Sequence, residues 1–267
     1  MTVLRTLDDL GGQLAFYLRA MRWAPRTVRR YRREVVRLLA EVSFGTGALA
    51  VVGGTVGVIC FLTFFTGTEV GLQGYQALNQ IGSSAFTGFI SAYFNTREIS
   101  PLVAALALSA TVGCGFTAQL GAMRISEEVD ALEVMAVPSL PFLVTTRMIA
   151  GFIAVIPLYV IGLLTSYLAT RTIATAYFGQ SAGTYDYYFH LFLPPGDVLW
   201  SFAKALVFSV IVMLVHCYYG YTATGGPAGV GVAVGRAVRL AIVAVNVVDF
   251  FLSLAIWGAT TTVRIAG

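Results

Sequence analysis

Residues Arg97 to Pro138 read REISPLVAALALSATVGCGFTAQLGAMRISEEVDALEVMAVP, and the rest of the chain is arranged around them. The stretch opens on a charged pair ahead of a proline, Arg97-Glu98-Ile99-Ser100-Pro101. An apolar run follows with a small residue at every fourth position: Ala105, Ser109, Gly113, Thr117 and Gly121. It closes on Ser126-Glu127-Glu128-Val129-Asp130-Ala131-Leu132-Glu133-Val134-Met135, too acidic to lie in lipid. A membrane span that feeds straight into an acidic amphipathic helix has the form of a force-transmitting joint.

The surrounding composition agrees. Of 267 residues, 57% are hydrophobic and 11% charged, whereas a soluble domain averages about a quarter charged. The 28 glycines fit as well, because Gly is more frequent in membrane helices than in soluble ones. The polar N-terminus runs into arginines rather than a short apolar region, so no cleavable signal peptide is expected. Cys60, Cys114 and Cys217 fall in apolar runs without metal-ligand spacing and read as small buried residues. Nine of the seventeen basic residues precede position 38. That points to a membrane anchor on the cytoplasmic side rather than to nucleic acid.

Two amphipathic helices open the chain. Leu7, Leu10, Leu14, Tyr17, Leu18 and Met21 share helical spacing before Pro25, which is expected to break the run. Tyr31, Val35, Leu38 and Val42 then line one face of a second helix, with Arg26, Arg30, Arg33 and Arg37 on another. Such basic helices lie in the membrane interface. Residues 43–66 form the first span, with Gly53 and Gly57 as a GxxxG pair. A polar, Gly-rich segment, 67–75, contains Glu69. Residues 82–120 are too long for one straight span, since they would cover roughly 58 Å against a hydrocarbon core of about 30 Å. This predicts a re-entrant or peripheral 82–94, a break near Arg97–Pro101 and a crossing at 102–121. Further crossings are expected at 142–170, kinked at Pro157, and at 198–220 and 237–260. An aromatic external loop, 171–197, and a Gly-rich cytosolic loop, 220–235, join them. The expectation is an all-α integral membrane protein of about five transmembrane helices, with interfacial helices over 1–42, a membrane domain over 43–267, and a cytosolic coupling helix near 126–136. Five crossings put the N-terminus in the cytoplasm.

Catalytic machinery is missing from the sequence. The single lysine, Lys204, follows Ala203, so the G-K-[ST] of a phosphate-binding loop cannot form. No G-x-S-x-G, H-E-x-x-H or Cys/His cluster occurs, and His190 and His216 stand alone. No catalytic residue, cofactor or metal is expected, and any uphill transport would draw its energy from a partner.

The run Arg97–Pro138, with Leu72-Gln73-Gly74-Tyr75 upstream, resembles the MlaE/YrbE family of ABC-transporter permeases. Its pattern appears here as Arg97-Glu98-Ile99-Ser100-Pro101, Ala118-Gln119-Leu120-Gly121-Ala122-Met123-Arg124, Glu127-Glu128 and Met135-Ala136-Val137-Pro138. The resemblance implies a permease of the cell (inner) membrane that moves lipid or fatty acid, inward by analogy. It implies two cytosolic ATPase subunits and Mce (mammalian-cell-entry) proteins on the outer side as partners. Gln119 stands where many members have Glu, and Pro138-Ser139 replaces an acidic residue followed by proline. Both departures resemble the B-type permease, whose partner is a non-identical A-type permease.

Within that frame the residues carry alternative readings. The small-residue ladder serves packing inside one subunit or a dimer interface. The segment around Arg124, Glu127, Glu128, Asp130, Leu132, Glu133 and Met135 is a coupling helix for an ATPase or a solvated loop helix. Its narrow apolar face comprises Val129, Leu132, Met135 and Ala136. Glu69, Arg97, Glu98, Lys204 and Asp249 are candidates to line a substrate cavity, against structural pairing alone. Depth along the spans predicts Lys204 with Asp249, and Arg97 with Glu98 or a lipid headgroup. A non-transporting membrane scaffold is the other functional reading.

Overall fold

A computed structural model describes residues 2–44 and 54–258, with side chains from residue 11 onward. Residues 45–53 of the expected 43–66 span, Gly53 among them, and the side chains of Leu7 and Leu10 lie outside the described residues. The helices are α1 (Thr2–Arg30), α2 (Arg32–Phe44), α3 (Thr55–Gln80), α4 (Ser84–Ile125), α5 (Glu128–Val134), α6 (Leu140–Tyr177), α7 (Ala182–Leu191), α8 (Pro195–Tyr221) and α9 (Gly226–Trp257). Among the described residues, five of them, α3, α4, α6, α8 and α9, are long and apolar enough to cross a membrane. The protein is an all-α, multi-pass membrane protein.

Several boundaries differ from those expected, each for a physical reason. Pro25 does not break α1, which runs on to Arg30. One proline removes one helical hydrogen bond, and the packed faces on either side hold the helix together. The polar, Gly-rich segment 67–75 is part of helix α3. Gly67, Gly71 and Gly74 are buried on one face of α3, where glycine lets another backbone come close. The expected Gly-rich loop 220–235 is also mostly helix, forming the start of α9.

The expected break at Arg97–Pro101 is also absent. Helical hydrogen bonding continues through α4, by way of a π-helical stretch over Ser91–Ile99 and another over Ser109–Gly113. Residues 84–94 are therefore part of the same 42-residue helix as the segment expected to cross. The wider π turns let Pro101 enter near the start of the next α-helical segment, where its missing N–H costs least.

The described residues fall into two compact units. The first comprises Met1–Gly47, Ser109–Ala154 and Ser209–Ala244. Its interior includes Leu38, Leu120, Val129, Val144, Met213 and His216, all under 2% exposed. Val35, Leu38 and Val42 of α2 are buried, as their spacing predicted. The small-residue ladder packs within this chain. A Cβ on Gly113 would lie 2.6 Å from the His216 ring, and one on Gly121 would lie 2.8 Å from Val230. His216 Nε2 lies 2.8 Å from Ser109 Oγ, and Nδ1 lies 2.8 Å from Thr117 Oγ1. Thr117 gives its hydroxyl proton to the Gly113 or His216 carbonyl. It can then only accept from Nδ1–H, which leaves Nε2 to accept from Ser109. His216 is thus a neutral pin between α4 and α8. Gly113→Ala should cost about 2 kcal/mol by overpacking, and His216→Ala in the same chain should recover part of it. Chemical unfolding in detergent checks both.

The second unit comprises Ala48–Leu108, Val155–Phe208 and Val245–Gly267. Ala104, Tyr159, Leu163 and Ala205 form its apolar centre, flanked by Tyr167, Val198 and Phe202. Thr170 Oγ1 donates to the Gly67 carbonyl at 2.7 Å, and Asn95 Nδ2 donates to Thr170 Oγ1 at 2.9 Å. Arg171 holds Asp186 of α7 through two hydrogen bonds of 2.8 Å. That contact keeps the Asp186 carboxyl below the usual carboxylate range.

Candidate functional site

Within the second unit, α4, α8 and α9 bring a set of ionisable side chains together. Pro101 has no N–H to give to the carbonyl four residues back, that of Arg97. Lys204 Nζ donates to that oxygen at 2.6 Å. Lys204 is fully buried, and its charge is met by Asp249 Oδ1 at 2.6 Å and Glu98 Oε2 at 3.3 Å. Ser253 Oγ ties the set together, accepting from Lys204 at 2.8 Å and donating to Glu98 Oε1 at 2.8 Å.

Arg97 turns the other way along α4. Its Nε and Nη2 donate to Asp197 Oδ2 at 2.8 and 2.6 Å, and both side chains are under 8% exposed. Trp257 Nε1 donates to the second Asp197 oxygen at 3.0 Å. The guanidinium also lies 4.1 Å from the Tyr93 ring centroid and 5.1 Å from that of Trp257. Two cations, Arg97 and Lys204, therefore face three carboxylates, Asp197, Glu98 and Asp249. A buried charge is tolerable only when paired in this way. No positive charge is left over for an anionic ligand unless a carboxylate is displaced.

The expected pair Lys204–Asp249 is formed. Arg97 does not pair with Glu98, because successive residues of a helix point in different directions; Glu98 joins Lys204 instead. Asp197, Ser253 and Trp257 escaped the sequence reading. The one available signal was an acidic residue just after Pro194-Pro195-Gly196, in the first turn of a helix. Glu69 is exposed on α3 and accepts from Gln73 one turn on.

In the first unit the acidic segment forms α5, shorter than the expected 126–136. Glu127 and Ala136 bracket it in left-handed conformations, at φ 60° and 58°, which for residues other than glycine costs about 1–2 kcal/mol each. Val137 N–H donates to the Leu132 carbonyl at 2.9 Å and Ala136 N–H to that of Glu133 at 3.0 Å. These two bonds close the C-terminus of the helix. Arg124 bonds Asp130 at 2.7 Å. Ser139 Oγ donates to Glu133 at 2.5 Å and lies 2.7 Å from the Tyr221 hydroxyl of α8. Of the expected apolar face, Val129 is buried and Leu132 half-buried. Met135 and Ala136 lie beyond the helix end, and the exposed apolar side chains are Val134 (88%) and Met135 (65%). A hollow of about 460 Å³ beside it is lined by Arg19, Trp23, Glu133, Pro138 and Tyr221.

Gln119 also has a defined place. Its Nε2 donates to Glu41 of α2 at 2.8 Å, and its Oε1 accepts from Arg147 at 3.3 Å. Arg147 is only 5% exposed. An amide serves here because it can donate to a carboxylate and accept from a guanidinium at once.

Comparison with known proteins gives a consistent set of matches. The family model described as permease MlaE matches residues 44–255. A probable ABC transporter permease protein of Rickettsia bellii is 31% identical over 181 residues, 68% of this chain and 70% of that protein. The intermembrane phospholipid transport system permease protein MlaE of Haemophilus influenzae is 28% identical over 203 residues, 76% of this chain and 78% of that one. The chloroplastic protein trigalactosyldiacylglycerol 1 of Arabidopsis thaliana is 30% identical over 196 residues, 73% of this chain. The matched region spans 56% of the length of that relative.

Proposed function

The chain belongs to the MlaE permease family, and from that premise we propose that it is the membrane subunit of an ATP-driven lipid transporter. It works with two cytosolic ATPase subunits and, on the outer side of the cell membrane, with Mce proteins from which it takes lipid inward. Its N-terminus and α5 lie in the cytoplasm. The elbow helices of residues 1–42 lie along that face, and residues 43–267 form the permease domain.

The observation that carries this reading is α5. Its helical turns are held at both ends by the Arg124–Asp130 and Ser139–Glu133 contacts, yet Val134 and Met135 stand exposed. An apolar pair at the C-terminal end of a braced, acidic helix suits a groove in a partner, since amphipathic helices bind by seating apolar anchors. Arg124, Glu127, Glu128, Asp130, Leu132, Glu133 and Met135 would surround that contact. ATP binding would move α5, and α4 and α8 would transmit the motion to the charged cluster.

In that cluster Arg97, Glu98, Lys204 and Asp249 act with Asp197 as a latch. A lipid headgroup reaches Lys204 only by displacing Glu98 or Asp249, so handover and opening are one event. Glu69, exposed on α3, belongs to the wall. The amide at Gln119 and the hydroxyl at Ser139 support pairing with a non-identical A-type permease.

Val134→Asp with Met135→Asp should lower recovery of the ATPase with the purified permease at least tenfold, about 1.4 kcal/mol. Membrane insertion should be unchanged, because both side chains are outside the core. Native mass spectrometry of the same preparation should give one copy of this chain beside one related permease. Undiminished ATPase recovery would remove α5 from the contact. A scaffold would bind its partners without any lipid-stimulated ATP hydrolysis.

A further inference from the structure

Helix α1 has three arcs. Phe16, Ala20 and Thr27 are buried, and Thr145 Oγ1 donates to the Ala20 carbonyl at 3.1 Å, which fixes the helix to α6. At about 100° per residue, Met21, Ala24 and Val28 come next around the helix, then Leu14 and Leu18. Leu14 and Leu18 are each 59% exposed, and Met21 and Val28 each 49%. Beyond this apolar arc come Arg29, Arg22, Arg26, Arg19 and Arg30. None of these five arginines forms an ion pair among the described residues.

An open groove runs along the apolar arc within the first unit. Met21, Ala24 and Val28 form one wall, and Met148, Phe152 and Ile153 of α6 the other. Its volume is about 370 Å³, and no lining side chain is polar. An extended peptide laid there would find no partner for its backbone N–H and C=O groups. Hydrocarbon needs none. Leu14 and Leu18 separate the groove from the arginine arc, and Arg29 and Arg22, the first of that arc, have side chains long enough to reach back over an apolar surface towards a negative headgroup.

We propose that this groove takes one acyl chain of an anionic phospholipid, with Arg22 and Arg29 holding its phosphate. The lipid is a fixed lateral ligand of α1 and not the transported molecule. The inference rests on α1 lying along the membrane surface, the placement given to the elbow helices above. It does not depend on what the charged cluster does.

The test uses the intact complex in nanodiscs that carry phosphatidylglycerol with a diazirine on its acyl chain. After irradiation, label on Met21, Met148 and Phe152 should exceed that on Val243 and Phe250, exposed apolar residues of α9, by at least tenfold. Ala24→Trp fills the groove and should erase the excess. Arg22→Gln and Arg29→Gln should each cut the preference for phosphatidylglycerol over a phosphatidylcholine probe by about fivefold. Asp249→Asn should leave the label in place, so a failed transport mechanism and a failed groove give different results. Label no stronger than on α9, label indifferent to Ala24→Trp, or a cross-link from the groove to a second protein would each overturn the proposal.

Discussion

Lys204→Met should abolish most of the proposed lipid transport and destabilise the protein by about 3–5 kcal/mol, the usual result of stranding a buried charge. The lysine is fully buried and answers Asp249, Glu98 and the Arg97 carbonyl together. Methionine fills much of the volume but leaves Asp249 facing apolar neighbours without a cation. Asp249→Asn should cost less, about 1–3 kcal/mol, because Lys204 keeps Glu98 and the amide still accepts a hydrogen bond. Combining the two should give a smaller loss than their sum, with a coupling of about 1–3 kcal/mol. Unfolding in detergent reads the stability, and uptake of a labelled lipid into vesicles reads the transport. Additive losses would mean that the two residues do not act as a pair. Normal uptake by a folded Lys204→Met protein would take the cluster out of the mechanism.

Gly67→Val should destabilise the protein by about 3 kcal/mol or more. A Cβ at this position would lie 2.5 Å from the Ser166 carbonyl oxygen and 2.9 Å from Ser166 Cα. Both are backbone atoms of α6, so no rotamer change relieves the clash. The helices would have to separate and give up the 2.7 Å bond from Thr170 Oγ1 to the Gly67 carbonyl. Gly67→Ala should already cost about 2 kcal/mol. Gly235→Ala is the contrast: nothing lies within 4 Å of its Cβ position. In the interior of α9, where alanine is the better helix former, this change should stabilise by about 0.5–1 kcal/mol. The two alanine variants side by side in one detergent unfolding series separate glycine as a contact from glycine as a weak helix former.

The sequence alone determined the class of this protein, because hydrocarbon imposes a local rule. A run long and apolar enough to cross must be helical, as only a helix satisfies its own backbone in lipid. By the same rule the acidic segment 126–136 is expected outside the membrane. The rule also set Lys204 and Asp249 at similar depths, where two opposite charges must find each other. The tertiary structure decided whatever depends on a second surface. Glycines at 220–235 read as loop by their propensity, yet α9 runs through most of them, and α3 runs through the Gly-rich 67–75, where buried contact at Gly67, Gly71 and Gly74 outweighs a cost of about 1 kcal/mol per glycine. Pro101 and Pro25 read as breaks, yet each removes only one backbone bond, and packing keeps the helices continuous. Arg97 had an acidic neighbour at position 98 but takes Asp197, 100 residues further on. Adjacent residues on a helix diverge by about 100°, and only the folded chain brings the first turn of α8 to the side of α4 that Arg97 faces.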